Sequence, residues 1–129
     1  MQNCGGIIHL GATSMDIEDN AEALRLREAT AMIITRLEAL LRIFGDQIQT
    51  HADTVCMGFT HLQPAEPTTI GYRLAFYAQD LLEDYLSLKT LHNNIRGKGI
   101  KGAVGTSASY SQLLEGTQFS TQDLEDAIM

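Results

Sequence analysis

DIEDNAEALRLREATAMIITRLEALLRIFGDQI, residues Asp16–Ile48, places an apolar side chain every three to five positions: Ile17, Ala21, Leu24, Ala29, Ile33, Leu37, Leu40, Phe44 and Ile48. That spacing is the period of a helix, not the two-residue alternation of a strand. Ser14 or Asp16 can cap its start, and Glu18 and Asp19 suit the positive end of the helix dipole. Gly45 is expected to kink or interrupt the helix, which should fray before Val55.

A second stripe, Ile70, Leu74, Tyr77, Leu81, Tyr85, Leu88, Leu91 and Ile95, follows Pro67, a residue suited to a first helical turn. From Thr68 to about Ile95 this helix would be roughly 40 Å long. Gly97 and Gly99 end it, a short helical stretch is expected around Tyr110–Leu114, and Ser120–Asp123 caps a last helix. Val55–Thr60 is the sole strand candidate, and it is short. Globular helices average about 11–12 residues, so two helices this long point to an all-α, long-helix bundle, often built from several subunits. A monomeric helical hairpin is the alternative.

The chain has 129 residues, 44% hydrophobic, enough for one domain and not for two. Its net charge of −7 excludes a broad basic surface for nucleic acid or anionic membrane. No apolar run reaches the roughly 20 residues of a spanning helix, and no signal-peptide pattern opens the chain. Two cysteines, Cys4 and Cys56, make no disulfide framework, which points to a reducing cytoplasm. They also lack partners at zinc-ligand spacing, and no two histidines stand at metal-ligand spacing.

Three polar segments interrupt the helical pattern. In His9-Leu10-Gly11-Ala12-Thr13-Ser14, Gly11 permits a tight turn and two hydroxyls reach a helix N-terminus, where an anion is favoured; both are also ordinary capping residues. In Gly58-Phe59-Thr60-His61-Leu62-Gln63-Pro64-Ala65-Glu66-Pro67, the two prolines stiffen the connection around His61. A fixed histidine suits proton transfer near neutral pH; a loop histidine satisfied by backbone hydrogen bonds is the other reading. In Gly97-Lys98-Gly99-Ile100-Lys101-Gly102, the G-x-G-x-x-G pattern follows a helix rather than a strand, so it is not a dinucleotide fingerprint, and no Gly-Lys-Ser/Thr makes it a P-loop. Lys98 and Lys101 could attract a phosphate or carboxylate, or form a solvated turn. His51 and His92 lie within or beside helices, and His92, which follows the apolar stripe, reads as a packing or surface residue.

Taken together, Ile8-His9-Leu10-Gly11-Ala12-Thr13-Ser14, Gly58 to Ala65 with Pro67-Thr68-Thr69-Ile70-Gly71, and Lys101-Gly102-Ala103-Val104-Gly105-Thr106 resemble the adenylosuccinate lyases of the fumarase/aspartase superfamily. The resemblance runs from about Ile7 to at least Gly116. The Thr-His-x-Gln-Pro-Ala element also occurs in argininosuccinate-type lyases, but His-x-Gly-x-Thr-Ser points to the adenylosuccinate branch. The resemblance implies β-elimination of fumarate from succinylated purine precursors, in a cytoplasmic homotetramer with a small-molecule substrate and no metal or organic cofactor. It implies His61 as general acid, Thr13 and Ser14 holding the succinyl carboxylates, and Thr60 beside His61 against the substrate. His9 matches a position close to the active site, and Gln63 one that orients His61 or the substrate.

The same resemblance marks what this sequence lacks. The family carries an N-terminal domain with an Arg and a His-Asp element, a Ser-Ser-x-Met-Pro-x-Lys-x-Asn loop whose Ser is the base, and a downstream Gln-containing motif. Residues 1–129 are therefore expected to be one partial domain, a piece of the central helical domain, without lyase activity by itself. A non-catalytic helical assembly module, with these motifs as caps and turns only, is the contrasting reading.

Overall fold

The computed structural model describes residues 4–129. A 3₁₀ turn at Cys4–Ile7 precedes helix α1 (Ser14–Thr50), strands β1 (Val55–Thr60) and β2 (Gln63–Thr69), and helices α2 (Ile70–Asn94), α3 (Ala108–Leu113) and α4 (Thr121–Ile128). The chain divides into two compact units, Glu28–Asn94 and the remainder on either side of it. No described helix is long and apolar enough to cross a membrane. Cys56 is a free thiol; the side chain of Cys4 lies outside the described residues.

In the Glu28–Asn94 unit, α1 and α2 pack antiparallel. Tyr85 Oη donates to Glu38 Oε1 at 2.7 Å, and Thr30 Oγ1 and His92 Nδ1 are 2.9 Å apart. The half-buried stripes are Ile34, Leu37, Leu41, Phe44 and Ile48 on α1 and Leu74, Ala78, Leu81, Tyr85 and Leu88 on α2. This seam differs from the expected one. Ile33, Leu40, Tyr77 and Leu91 are exposed, while their neighbours Ile34, Leu41, Ala78 and His92 turn inward. Both helices carry apolar residues on adjacent faces, so period alone did not select between them.

Gly45 neither kinks nor ends α1, which runs unbroken for 37 residues. One glycine costs about 1 kcal/mol of helix propensity, and the surrounding Ala, Leu, Glu, Ile and Arg residues are mostly strong helix formers. The start of α2 is Ile70 rather than Thr68, because Pro67, Thr68 and Thr69 are committed to β2. The Ile70 N–H donates to Thr54 O and the Gly71 N–H to His51 O, both at 2.9 Å, which ties the start of α2 to the end of α1. A Cβ on Gly71 would lie 2.6 Å from Ile48 O and 2.8 Å from His51 O, so only glycine permits this approach.

The strands between the helices form an antiparallel hairpin, pairing Val55 with Thr69, Met57 with Pro67, Phe59 with Pro64 and Thr60 with Gln63. The expectation of a loop from Gln63 onward was wrong. Two prolines discouraged a strand reading, yet a two-stranded ribbon has only edge strands, where a missing N–H is tolerated. The register shifts between Met57 and Phe59, at Gly58, where a Cβ would meet Glu66 O at 2.8 Å.

The other unit holds the two buried hydrophobic residues among those described, Ile100 and Tyr110. Its last helix opens on a full capping box: Ser120 accepts from the Asp123 N–H, and Asp123 accepts from the Ser120 N–H. That matches the reading of Ser120–Asp123 as a cap.

Gly71→Ala should destabilise the helical hairpin by about 1–3 kcal/mol through overpacking against backbone that cannot retreat. Urea unfolding followed by circular dichroism checks this; an unchanged midpoint would show that the approach is not tight.

Candidate functional site

Asp16, in the first turn of α1, is 4% exposed. Its carboxylate accepts four donors: the Thr13 N–H (3.1 Å), the Lys101 N–H (3.0 Å), the Gly102 N–H (3.1 Å to each oxygen) and Tyr110 Oη (3.0 Å). Burial pushes this carboxyl up. The N–H donors of Thr13, Lys101 and Gly102, with the Tyr110 hydroxyl, outweigh that and hold it below its ordinary 3.8. Burial first, and then the hydrogen bond and charge of Asp16, push the Tyr110 phenol from 10.0 up to about 12.

One turn further along α1, Asn20 grips the same glycine-rich segment. Its Nδ2 donates to Gly99 O at 3.0 Å, and its Oδ1 accepts from the Lys98 and Gly99 N–H groups at 2.8 and 3.2 Å. Lys98 pairs with Asp19 at 2.6 Å, and Lys101 pairs with Glu125. The two lysines are thus partnered by carboxylates of their own unit, which weakens the suggestion that they collect a phosphate.

Thr13 and Ser14 stand where this lattice meets the helix start. Thr13 is half-buried just before α1, and Ser14 is exposed as its first residue. Thr13, not Ser14 or Asp16, therefore precedes the first turn, and Asp16 three positions on reaches back to its N–H, one half of a capping box. Gly11 turns the chain into this segment at φ +80°, with Ser109 Oγ donating to its carbonyl at 2.7 Å. His9 is exposed in the preceding turn, its carbonyl accepting from the Ala12 N–H.

Thr60, His61 and Gln63 belong to the helical-hairpin unit, at the tip of the β-hairpin. Thr60 and Gln63 are the last paired residues, and His61 and Leu62 form the two-residue turn between them. Both turn residues are left-handed, φ 48° for His61 and 63° for Leu62. Such turns favour Asn and Gly, and a left-handed non-glycine residue costs roughly 1–2 kcal/mol. His61 is exposed, and Leu62 is 94% exposed. The rigid connection expected from the prolines is thus a paired hairpin presenting an imidazole to solvent.

A cleft of 330 Å³ beside Asn20, Leu24, Arg27, Ile95, Gly97 and Met129 includes none of the sequence-predicted site residues. Among the described residues, no group of three His, Cys, Asp or Glu side chains could hold a metal ion. The sequence reading missed the role of Asp16, taking it as a helix cap. Thr13-x-x-Asp16 was the available local signal, but the bonds to residues 101–110 had none.

The Lyase family matches residues 1–125, and the chain belongs to it, within the fumarase/aspartase superfamily. More particularly, its relatives include the adenylosuccinate lyases of Schistosoma mansoni, 38% identical over 95% of this chain and 26% of that protein, and of Methanocaldococcus jannaschii, 41% identical over 85% of this chain and 24% of that protein. The crystal structure of a fumarate lyase from Mesorhizobium sp. BNC1 superposes with a TM-score of 0.81 at 31% identity, covering 96% of this chain and 28% of that one. The chain spans about a quarter of the length of the relatives it matches.

The Asp16 lattice makes this unit sensitive at both pH extremes. A depressed carboxyl stabilises the fold above about pH 4 and loses that contribution as pH falls through its lowered value. A raised phenol stabilises it below pH 10 and loses that contribution as pH rises through about 12. Hydrogen-exchange protection of the Lys101 and Gly102 amides should therefore drop below about pH 4, and Tyr110 should ionise near pH 12 in a tyrosinate absorbance titration.

Proposed function

We propose that this chain is part of the central helical domain of an adenylosuccinate-type lyase, and that it supplies the general acid and part of the succinyl site. The observation that carries the reading is the hairpin tip. His61 is held in a strained, left-handed backbone between Thr60 and Gln63, with its imidazole open to a ligand. Strain of this kind persists only where surrounding structure enforces it, and it gathers at functional sites. Relatives named adenylosuccinate lyase, at 34–41% identity, support the substrate class.

In the proposed reaction a base removes the proton on the carbon beside a succinyl carboxylate. The electron pair spreads onto that carboxylate, then forms the carbon–carbon double bond of fumarate as the C–N bond breaks. The bonding pair leaves on nitrogen, and His61 protonates it, so that adenylosuccinate yields AMP and succinylaminoimidazole carboxamide ribotide loses fumarate in the same way. Thr13 and Ser14 hold the succinyl carboxylates, where hydroxyl donors stabilise the growing charge. By the same resemblance His9 takes a position near the substrate, Thr60 stands beside His61 against the substrate, and Gln63 orients His61 or the substrate. Acid–base chemistry and the substrate's own carboxylate suffice, so no metal or organic cofactor is invoked. The resemblance assigns the base to a Ser-Ser-x-Met-Pro loop that is not in this sequence, so these 129 residues alone should release no fumarate. The reaction belongs to purine biosynthesis and to the cytoplasm.

The proposal includes self-association into a homotetramer. Met32, Ile33, Phe76, Tyr77 and Leu86 are each more than half exposed on the two long helices. Apolar faces on this scale are rare on monomers. Light scattering of this chain should give an oligomer; a monomer that binds no apolar-surface dye would count against the association.

In the intact gene product, His61→Ala should lower kcat for fumarate release about 10²–10⁴-fold with little change in Tm, because the side chain is exposed. Thr13→Ala and Ser14→Ala should chiefly raise KM. Near-normal turnover in His61→Ala would remove the general-acid assignment. Oligomers indifferent to all three substitutions, with no fumarate formed, would favour a non-catalytic assembly module; fumarate release from argininosuccinate instead would favour an argininosuccinate-type lyase.

A further inference from the structure

We propose that Asp16, together with Ser109 and Tyr110, positions the Thr13–Ser14 pair for carboxylate binding. The inference rests on the reading that those two hydroxyls hold the succinyl group.

A buried carboxylate three residues from an anion-binding pair is at first sight misplaced. Its charge opposes a dianionic ligand, and a threonine or serine capping the helix would carry no such penalty. The bonds it makes offer the reason for its presence. The segment Gly11–Ser14 is pinned at two points. Ser109 Oγ holds the Gly11 carbonyl at 2.7 Å, and Asp16 Oδ2 holds the Thr13 N–H at 3.1 Å. Asp16 is itself fixed by the Lys101 and Gly102 N–H groups and by Tyr110 Oη. Every remote group in this arrangement comes from residues 101–110. That segment is therefore the template on which the hydroxyl-bearing turn is set, and Asp16 is the connection between them.

Two further features fit this assignment. The four donors engage both carboxylate oxygens, so the charge is directed into the protein. Gly11 holds the turn in left-handed backbone, at a φ of +80° that disfavours any other residue. A turn clamped at both sides carries its hydroxyls to one place; a turn released at Asp16 would not.

The sign of a KM change separates positioning from a purely electrostatic effect of the charge. Loss of charge alone should lower KM for an anionic substrate; loss of positioning should raise it. The test is steady-state fumarate release from adenylosuccinate by the intact gene product, comparing Asp16→Asn, Tyr110→Phe and Ser109→Ala with the wild type. Tyr85→Phe, which removes the Glu38 hydrogen bond in the helical hairpin, is the control. KM should rise about ten-fold or more in Asp16→Asn and about three-fold in Tyr110→Phe, with kcat falling less than KM rises, while Tyr85→Phe leaves KM unchanged. An unchanged or lower KM in Asp16→Asn overturns the positioning role. Where that variant does not fold, an unchanged KM in both Tyr110→Phe and Ser109→Ala does so. A wild type that releases no fumarate overturns the functional reading itself, a result distinct from an active wild type with indifferent variants.

Discussion

The Asp16 carboxylate takes a charge out of water at a cost of several kcal/mol unless its lone pairs are satisfied. Four donors satisfy them, and three of those come from residues 85 or more positions away in the chain. The same contacts therefore solvate the charge, close the glycine-rich segment against the first turn of α1, and bury Tyr110, one of two buried hydrophobic residues among those described. With so little apolar core, this unit is held largely by polar groups whose geometry must be right. Asn20 repeats the device one turn along, using its amide as donor and acceptor to the same segment. The turn at Gly11–Thr13 is held by Asp16 and by Ser109, which holds the Gly11 carbonyl.

The helical-hairpin unit is organised differently. Its helices meet along half-buried stripes, and its tightest point is a glycine, Gly71, set against the carbonyls that end α1. The β-hairpin grows from that junction and ends on His61 and Leu62 in left-handed backbone. An exposed histidine in an unfavourable conformation gains nothing from packing. Strand pairing from Val55↔Thr69 to Thr60↔Gln63 enforces the turn, so the hairpin acts as a mount for one imidazole.

Much of this was legible in the order of residues. Period-3.6 apolar spacing announced both long helices, Ser120 with Asp123 announced the last cap, and the hydroxyl pair and the histidine were visible as polar interruptions at helix ends. Other features were not. The β2 strand was hidden by its prolines, whose exclusion from sheets applies to central strands and not to a two-stranded ribbon. The seam between α1 and α2 was hidden because Ile33 and Ile34, and likewise Leu40 and Leu41, satisfy the period about equally well. The Tyr85–Glu38 and Thr30–His92 contacts mark the side that was chosen.

The amino-acid order by itself determined the helical class, the resemblance to a lyase family and the residues to suspect, because periodicity, caps and short motifs are local and survive without coordinates. Tertiary structure alone decided that Asp16, besides answering the Thr13 N–H, is a buried tie to residues 101–110, that Lys98 and Lys101 are already paired, and that His61 rides a strained turn. Those facts depend on partners remote in the chain or on backbone angles enforced by strand pairing, and neither is encoded in the spacing of neighbouring residues.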